Sequence, residues 1–182
     1  MCRLGVVDSG GGYILFLSSA AEVVSHQRFT APSSGFTATA QENIGHSCAS
    51  PGDLNGDGRS DALIGAIVDS GAYDSVFLLF LNQHGQTLSF LRLGNNGIGG
   101  FTGTIAQGDE FSYGVGSAAD VDGDSVPDFV VGARFKDSRR GFAYVIFSNA
   151  ENGSSPSIIC LSLNLMFIFL SNYFNKHSFF ST

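Results

Sequence analysis

Short runs of apolar, β-branched and aromatic residues recur along the chain, separated by glycine-rich polar stretches. Runs of this length and composition predict β-strands. The clearest set lies at about 44–50, 61–67, 74–81 and 87–92, and a second at 112–118, 128–133 and 142–147. VFLLFL (76–81) is apolar at every position, which suits a central strand covered on both faces. Thr87, Ser89 and Arg92 partly alternate with Leu88, Phe90 and Leu93, as on a half-exposed outer strand. The stretch GNNGIGGFTGTIAQGDE (94–110) reads as a connection whose apolar residues are too sparse to pack as an element. IICLSLNLMFIFL (158–170) is a 13-residue apolar run, long enough for one strand or a short buried helix but without the pattern of the other runs, and SNYFNKHSFFST (171–182) shows no turn or strand logic.

The strands belong to a repeat. GDLNGDGRSDALIGA (52–66) aligns with ADVDGDSVPDFVVGA (119–133) at an offset of 67 residues. IGHSCAS (44–50) matches YGVGSAA (113–119), and YDSVFLLFLN (73–82) matches RGFAYVIFSN (140–149). Val7-Asp8-Ser9-Gly10 and YILFL (13–17) echo Val68-Asp69-Ser70-Gly71 and VFLLF (76–80), so a third, incomplete copy stands at the N-terminus. Repeating four-stranded units predict radially stacked blades. The expected fold is all-β: a partial β-propeller of about two and a half four-stranded antiparallel blades with calcium loops. The expected divisions are a partial N-terminal blade over 1–35, blades with calcium loops over 36–100 and 101–155, and an irregular apolar tail over 156–182.

Composition agrees with many tight turns. Gly accounts for 24 of 182 residues, and Phe for 17. The formal net charge is −7. Seven of the 16 acidic residues fall in two loops: Asp53, Asp57, Asp61, Asp120, Asp122, Asp124 and Asp128. The nine remaining acids equal the nine Lys and Arg of the whole chain, so the acidity is local. Local acidity points to a bound cation rather than to a general solubility charge. The nine basic residues are scattered and form no stripe, which excludes a nucleic-acid surface.

The loops share the pattern Asp-x-(Asn/Asp)-Gly-Asp-x-x-x-Asp. Side chains at positions 1, 3 and 5 converge on one point when such a loop curls tightly. The first loop supplies Asp53, Asn55 and Asp57; the second supplies Asp120, Asp122 and Asp124. The carbonyl at position 7, from Arg59 or Val126, can add an oxygen, and position 9 supplies Asp61 or Asp128, expected as a bidentate ligand. An all-oxygen set fits Ca2+, which takes six to eight such ligands, and disfavours zinc, copper and iron. The bland alternative is that Asp, Asn and Gly merely cap turns. Two copies in one repeat context favour the cation. Position 12 is Ile64 or Val131 rather than Glu, so these are not helix–loop–helix calcium hands. Position 6 is Gly58 in one loop and Ser125 in the other; a left-handed conformation would cost Ser125 about 1–2 kcal/mol.

Taken together, Gly-Asp-Leu-Asn-Gly-Asp-Gly-x-x-Asp-x-Leu-Ile-Gly-Ala and the strand after it resemble the FG-GAP repeat of integrin alpha subunits and their relatives over about residues 5–150. The resemblance implies a β-propeller with calcium between the first and second strands of a blade. It also implies the metal ligands Asp53, Asn55, Asp57, Arg59, Asp61, Asp120, Asp122, Asp124, Val126 and Asp128. It further implies extracellular or cell-surface recognition or adhesion, with a protein or glycan ligand. The alternatives are an accessory propeller of a larger hydrolase, such as a phospholipase-like enzyme, or a truncated fragment without function. Missing blades or self-association would cover the terminal blades.

No catalytic role is expected. The chain has no Gly-x-Ser-x-Gly elbow, and Gly114-Val115-Gly116 lacks the third glycine of a dinucleotide fingerprint. Membrane insertion is not expected, because a spanning helix needs about 20 apolar residues and the run at 158–170 has 13. Asp8 and Gly10-Gly11-Gly12 interrupt the apolar stretch that a signal peptide would need. Cys2, Cys48 and Cys160 have no metal-like spacing, and Asn152-Gly153-Ser154 is a glycosylation sequon.

Overall fold

The computed structural model describes residues 10–30, 42–68, 74–95, 97–149 and 157–163. Asp8, Cys2, the sequon at Asn152, and residues 164–182 lie outside the described residues. The ten strands among the described residues form antiparallel sheets. They are β1 (Gly12–Leu17), β2 (Val23–Phe29), β3 (Glu42–Ala49), β4 (Ala62–Val68), β5 (Ser75–Leu81), β6 (Thr87–Gly94), β7 (Phe111–Ala119), β8 (Asp128–Ala133), β9 (Phe142–Asn149) and β10 (Ser157–Leu163). One sheet is the hairpin β1-β2, one has the order β3-β4-β5-β6, and one the order β10-β9-β8-β7. β10 is built from the start of the apolar run and pairs with β9 from Ser157↔Asn149 to Leu163↔Ala143.

The middle sheet is covered on both faces. Toward the third sheet it presents Leu63, Val76, Leu78, Phe80 and Leu93, packed with Phe111, Phe129, Val131, Tyr144 and Ile146. Toward the hairpin it presents Ile64, Ala66, Phe77, Leu79 and Leu81, packed with Phe29 and Ile14. The fully apolar β5 therefore feeds both clusters, as a strand buried on two sides must. At the seam between the two larger sheets, Ser47 Oγ donates to the Ser112 carbonyl at 2.7 Å, and Ser112 Oγ donates to the Ala66 carbonyl at 3.2 Å. Gly65 permits this approach: a Cβ there would stand 2.5 Å from the Ser112 carbonyl oxygen and against Ser47 Oγ.

The connection at 94–110 packs, contrary to expectation. Phe101 and Ile105 are buried in the core between the two larger sheets. Phe101 stacks 5.0 Å from Phe111 and 5.3 Å from Tyr144. Two apolar residues suffice because each enters a gap that the sheets leave open, so strand-like density of apolar residues is not needed.

The expected partial β-propeller is overturned. The described residues form three open sheets in a row, none of them closed or curled into a ring. The hairpin and the third sheet cover opposite faces of the middle sheet, so the two ends of the row do not meet. The packing relation also fails to repeat. Val76, Leu78 and Phe80 of β5 are buried against the third sheet. Their counterparts in the N-terminal copy, Tyr13, Leu15 and Leu17, point to solvent, with Leu15 54% and Leu17 55% exposed, while Ile14 turns toward the middle sheet. A strand displays alternate residues on opposite faces, so presenting the other face breaks the radial operator at its first step.

This arrangement makes a direct prediction. Leu15→Ala should change unfolding free energy by no more than about 0.5 kcal/mol, as for an exposed site, whereas Leu78→Ala should cost about 2–5 kcal/mol. Urea unfolding of both variants checks this. Equal large losses would restore the repeated burial.

Candidate metal centre

Both acidic loops close on themselves by one set of hydrogen bonds. In the first, Asp53 Oδ1 accepts the backbone N–H of Gly56 at 2.7 Å and of Asp57 at 3.1 Å, and its Oδ2 accepts that of Gly58 at 2.6 Å. In the second, Asp120 Oδ1 accepts from Gly123 at 2.6 Å and Asp124 at 3.1 Å, and its Oδ2 from Ser125 at 2.9 Å. Position 3 accepts the N–H of position 5 in each: Asn55 from Asp57 and Asp122 from Asp124, both at 3.1 Å. Position 5 accepts the N–H of position 7: Asp57 from Arg59 at 2.9 Å and Asp124 from Val126 at 2.8 Å. Short acidic side chains that bond backbone N–H groups two to five residues on wind the loop tightly and point its oxygens inward.

In the second loop this brings one oxygen from each of Asp120, Asp122 and Asp124 within 4.8 Å of the others, on an exposed surface. Among the described residues this triad can hold a metal ion. Two oxygens bound to one calcium at about 2.4 Å are separated by at most twice that distance, and every pair in the triad meets this condition. The first loop repeats the bond pattern with Asn55 in place of a carboxylate.

Position 9 has a role that the sequence pattern does not reveal. Asp61 and Asp128 are buried, at 1% and 0% exposure. Asp61 Oδ2 accepts the N–H of Leu54 at 2.9 Å, and its Oδ1 accepts that of Leu81, in β5, at 3.1 Å. Asp128 likewise accepts from Val121 at 2.7 Å and from Ser148, in β9, at 2.9 Å. Each aspartate thus ties its loop to the neighbour of the strand that the loop leads into, β5 beside β4 and β9 beside β8. A carboxylate has about four acceptor sites, so the tether leaves lone pairs for a cation. Burial raises the Asp61 pKa to about 6, with the nearby Asp57 and Asp53 adding to the rise against the lowering effect of the two N–H bonds. Burial raises that of Asp128 as well.

Sequence reasoning missed Leu54, Leu81 and Ser148 as partners of the site, since they act through backbone N–H groups that any residue carries. Leu54 also shows how the open row reaches the loops. It is 1% exposed in the core between the larger sheets, whereas Val121, at the same loop position, is 56% exposed.

Ser125 adopts φ 75°, the left-handed conformation that Gly58 takes in the other loop at φ 84°. Ser125→Gly should therefore stabilise the protein by about 1 kcal/mol, the steric relief being partly offset by the greater freedom of glycine in the unfolded chain. A rise in the thermal midpoint checks it; no change or a fall would mean that the strain is not there.

Comparison with protein-family profiles gives no match. The FG-GAP and integrin-like resemblance is thereby corrected together with the propeller. Surface recognition or adhesion, and the alternative of an accessory propeller of a hydrolase, both rested on the propeller architecture. The three open sheets do not supply that architecture. No helix among the described residues is long and apolar enough to cross a membrane.

Proposed function

We propose that this chain is a calcium-binding β-sheet module in which two loops hold structural, non-catalytic ions. The observation that carries the reading is the triad Asp120, Asp122 and Asp124, whose oxygens lie mutually within 4.8 Å in a loop wound by the same bonds as its counterpart at Asp53, Asn55 and Asp57. The carbonyls of Arg59 and Val126, the remaining lone pairs of Asp61 and Asp128, and water complete the shells. Calcium is preferred to magnesium because a mixed set of carboxylate, amide, carbonyl and water oxygens suits its variable shell of six to eight, whereas magnesium demands near-ideal octahedral geometry and retains water.

Isothermal titration of the metal-stripped chain tests this. Calcium should give heat from up to two sites, and magnesium much less at the same concentration. Absence of any heat or spectral change at millimolar calcium would overturn the proposal.

A further inference from the structure

We infer that the outer face of the β1-β2 hairpin docks a second copy of this chain, and that the two copies stack hairpin on hairpin, antiparallel, across a twofold axis. YILFL (13–17) of β1 is apolar at every position. In β5 that pattern goes with cover on both faces. The hairpin is covered on one face only, where Ile14 and Phe29 pack on the middle sheet. Its other face carries Tyr13, Leu15 and Leu17, with Val23 and Val24 at the turn end, all exposed. These five are the greater part of the nine large apolar residues exposed among the described residues. The Tyr13 ring stands edge-on to the His26 ring at 5.5 Å, so His26, opposite Leu15, and Arg28, opposite Tyr13, share this face. A solvated sheet face is normally polar, and a contiguous apolar patch marks a site of interaction.

Stacking and charge together select the occupant. The sheets already pack face to face twice, the third sheet on the middle one and the hairpin on its other side, and a second hairpin continues that stacking. The rim of the patch is self-complementary. Arg28 stands at one end of the hairpin, and Glu22 stands in the turn at the other, about 20 Å away along β2. Neither side chain has an ion pair among the described residues. Laid together antiparallel, each copy sets Arg28 over Glu22 of the other, with Leu15 near the axis over its own counterpart. A patch with opposite charges at its two ends attracts itself in that orientation and repels itself in the parallel one. The face is about 20 Å by 10 Å, small beside the roughly 800 Å² per partner of a standard interface, so the dimer is weak, with a Kd of about 10–100 µM. At the low-micromolar concentration of a urea titration the chain is then monomeric, and Leu15→Ala behaves as an exposed site.

Sedimentation equilibrium of the full chain in chelator, from about 5 to 300 µM, tests this apart from any metal. The unsubstituted chain should pass from monomer to dimer across that range. Leu15→Lys sets two like charges near the axis and should weaken the dimer by at least about a hundredfold. Leu88→Lys, at a comparably exposed apolar position on β6, should change nothing. Arg28→Glu and Glu22→Lys should each weaken the dimer by about tenfold, and the two together should restore it, because each reversed charge again meets its opposite. All four positions are exposed, so the fold does not depend on them. A chain that stays monomeric at the highest concentration would overturn the inference and leave this face to a different occupant. A dimer that Leu15→Lys does not weaken, or that Leu88→Lys weakens as much, would overturn it as well. Failure of the double charge reversal to restore association would overturn the antiparallel stack.

Discussion

Asp61→Ala should destabilise the metal-free protein by about 2–6 kcal/mol at pH 5, the loss expected when two buried backbone donors lose their acceptor. Those donors are the N–H groups of Leu54 and Leu81, at 2.9 and 3.1 Å from the two carboxyl oxygens. The first belongs to the loop and the second to the central strand of the middle sheet, so one truncation detaches the loop from the core. The loss should shrink at pH 7.5. The Asp61 pKa is raised by burial from 3.8 to about 6 in the folded chain. A raised carboxyl pKa means that the folded state holds the proton more tightly than the unfolded state. The contribution of Asp61 is therefore greatest below about pH 4 and declines as pH rises through about 6. Alanine lacks that dependence, so the gap between the two proteins narrows as pH rises. Urea unfolding in chelator at both pH values checks this. A loss below about 0.5 kcal/mol at both would show that the tether is not structural.

Calcium should raise the thermal midpoint by about 5–20 °C at saturating concentration. An ion that binds only the folded chain stabilises it by about 2.7 kcal/mol per site at one hundred times its dissociation constant, and each kcal/mol moves the midpoint of a chain this size by about 2–4 °C. The physical origin is charge. Without an ion, Asp120, Asp122 and Asp124 hold their oxygens within 4.8 Å of one another, and Asp53 and Asp57 both push the Asp61 pKa upward. Calcium turns that repulsion into attraction. The gain should be larger at pH 7.5 than at pH 5, because the ion competes with the proton for Asp61 and Asp128, whose pKa values burial raises. Asp57→Asn with Asp124→Asn should abolish the gain. Each asparagine keeps an oxygen for the N–H of position 7, so the loop winding survives while the ligand charge is lost. Differential scanning calorimetry with calcium and with chelator reads the shift directly. A midpoint that does not respond to calcium, or a double variant that responds as the unsubstituted chain does, would exclude a stabilising ion.

What the amino-acid sequence determined by itself is local. Val76–Leu81 is apolar at every position, and such a run is a strand buried on both faces, as β5 is. Asp53, Asn55 and Asp57, like Asp120, Asp122 and Asp124, stand two residues apart beside glycines, and their bonds span only two to five residues. Contacts of that range depend on the residues between them and on nothing distant, so spacing alone reveals the curl. Ser125 at positive φ was legible for the same reason, from Gly58 at the matching position.

Only the tertiary structure decided how the sheets meet. Tyr13, Leu15 and Leu17 match Val76, Leu78 and Phe80 in pattern, yet the first set faces water and the second a core. Pattern shows that a strand has two faces but not which face its neighbour covers, because that choice depends on every other element competing for the same surface. The same limit hid Phe101, whose place depends on a gap between two sheets, and the tethers from Asp61 to Leu81 and from Asp128 to Ser148, each 20 residues apart. Repetition in sequence carried the loops and strands faithfully. The propeller it suggested required in addition that each sheet cover the next in the same way, and that relation between surfaces is absent from the open row of three sheets.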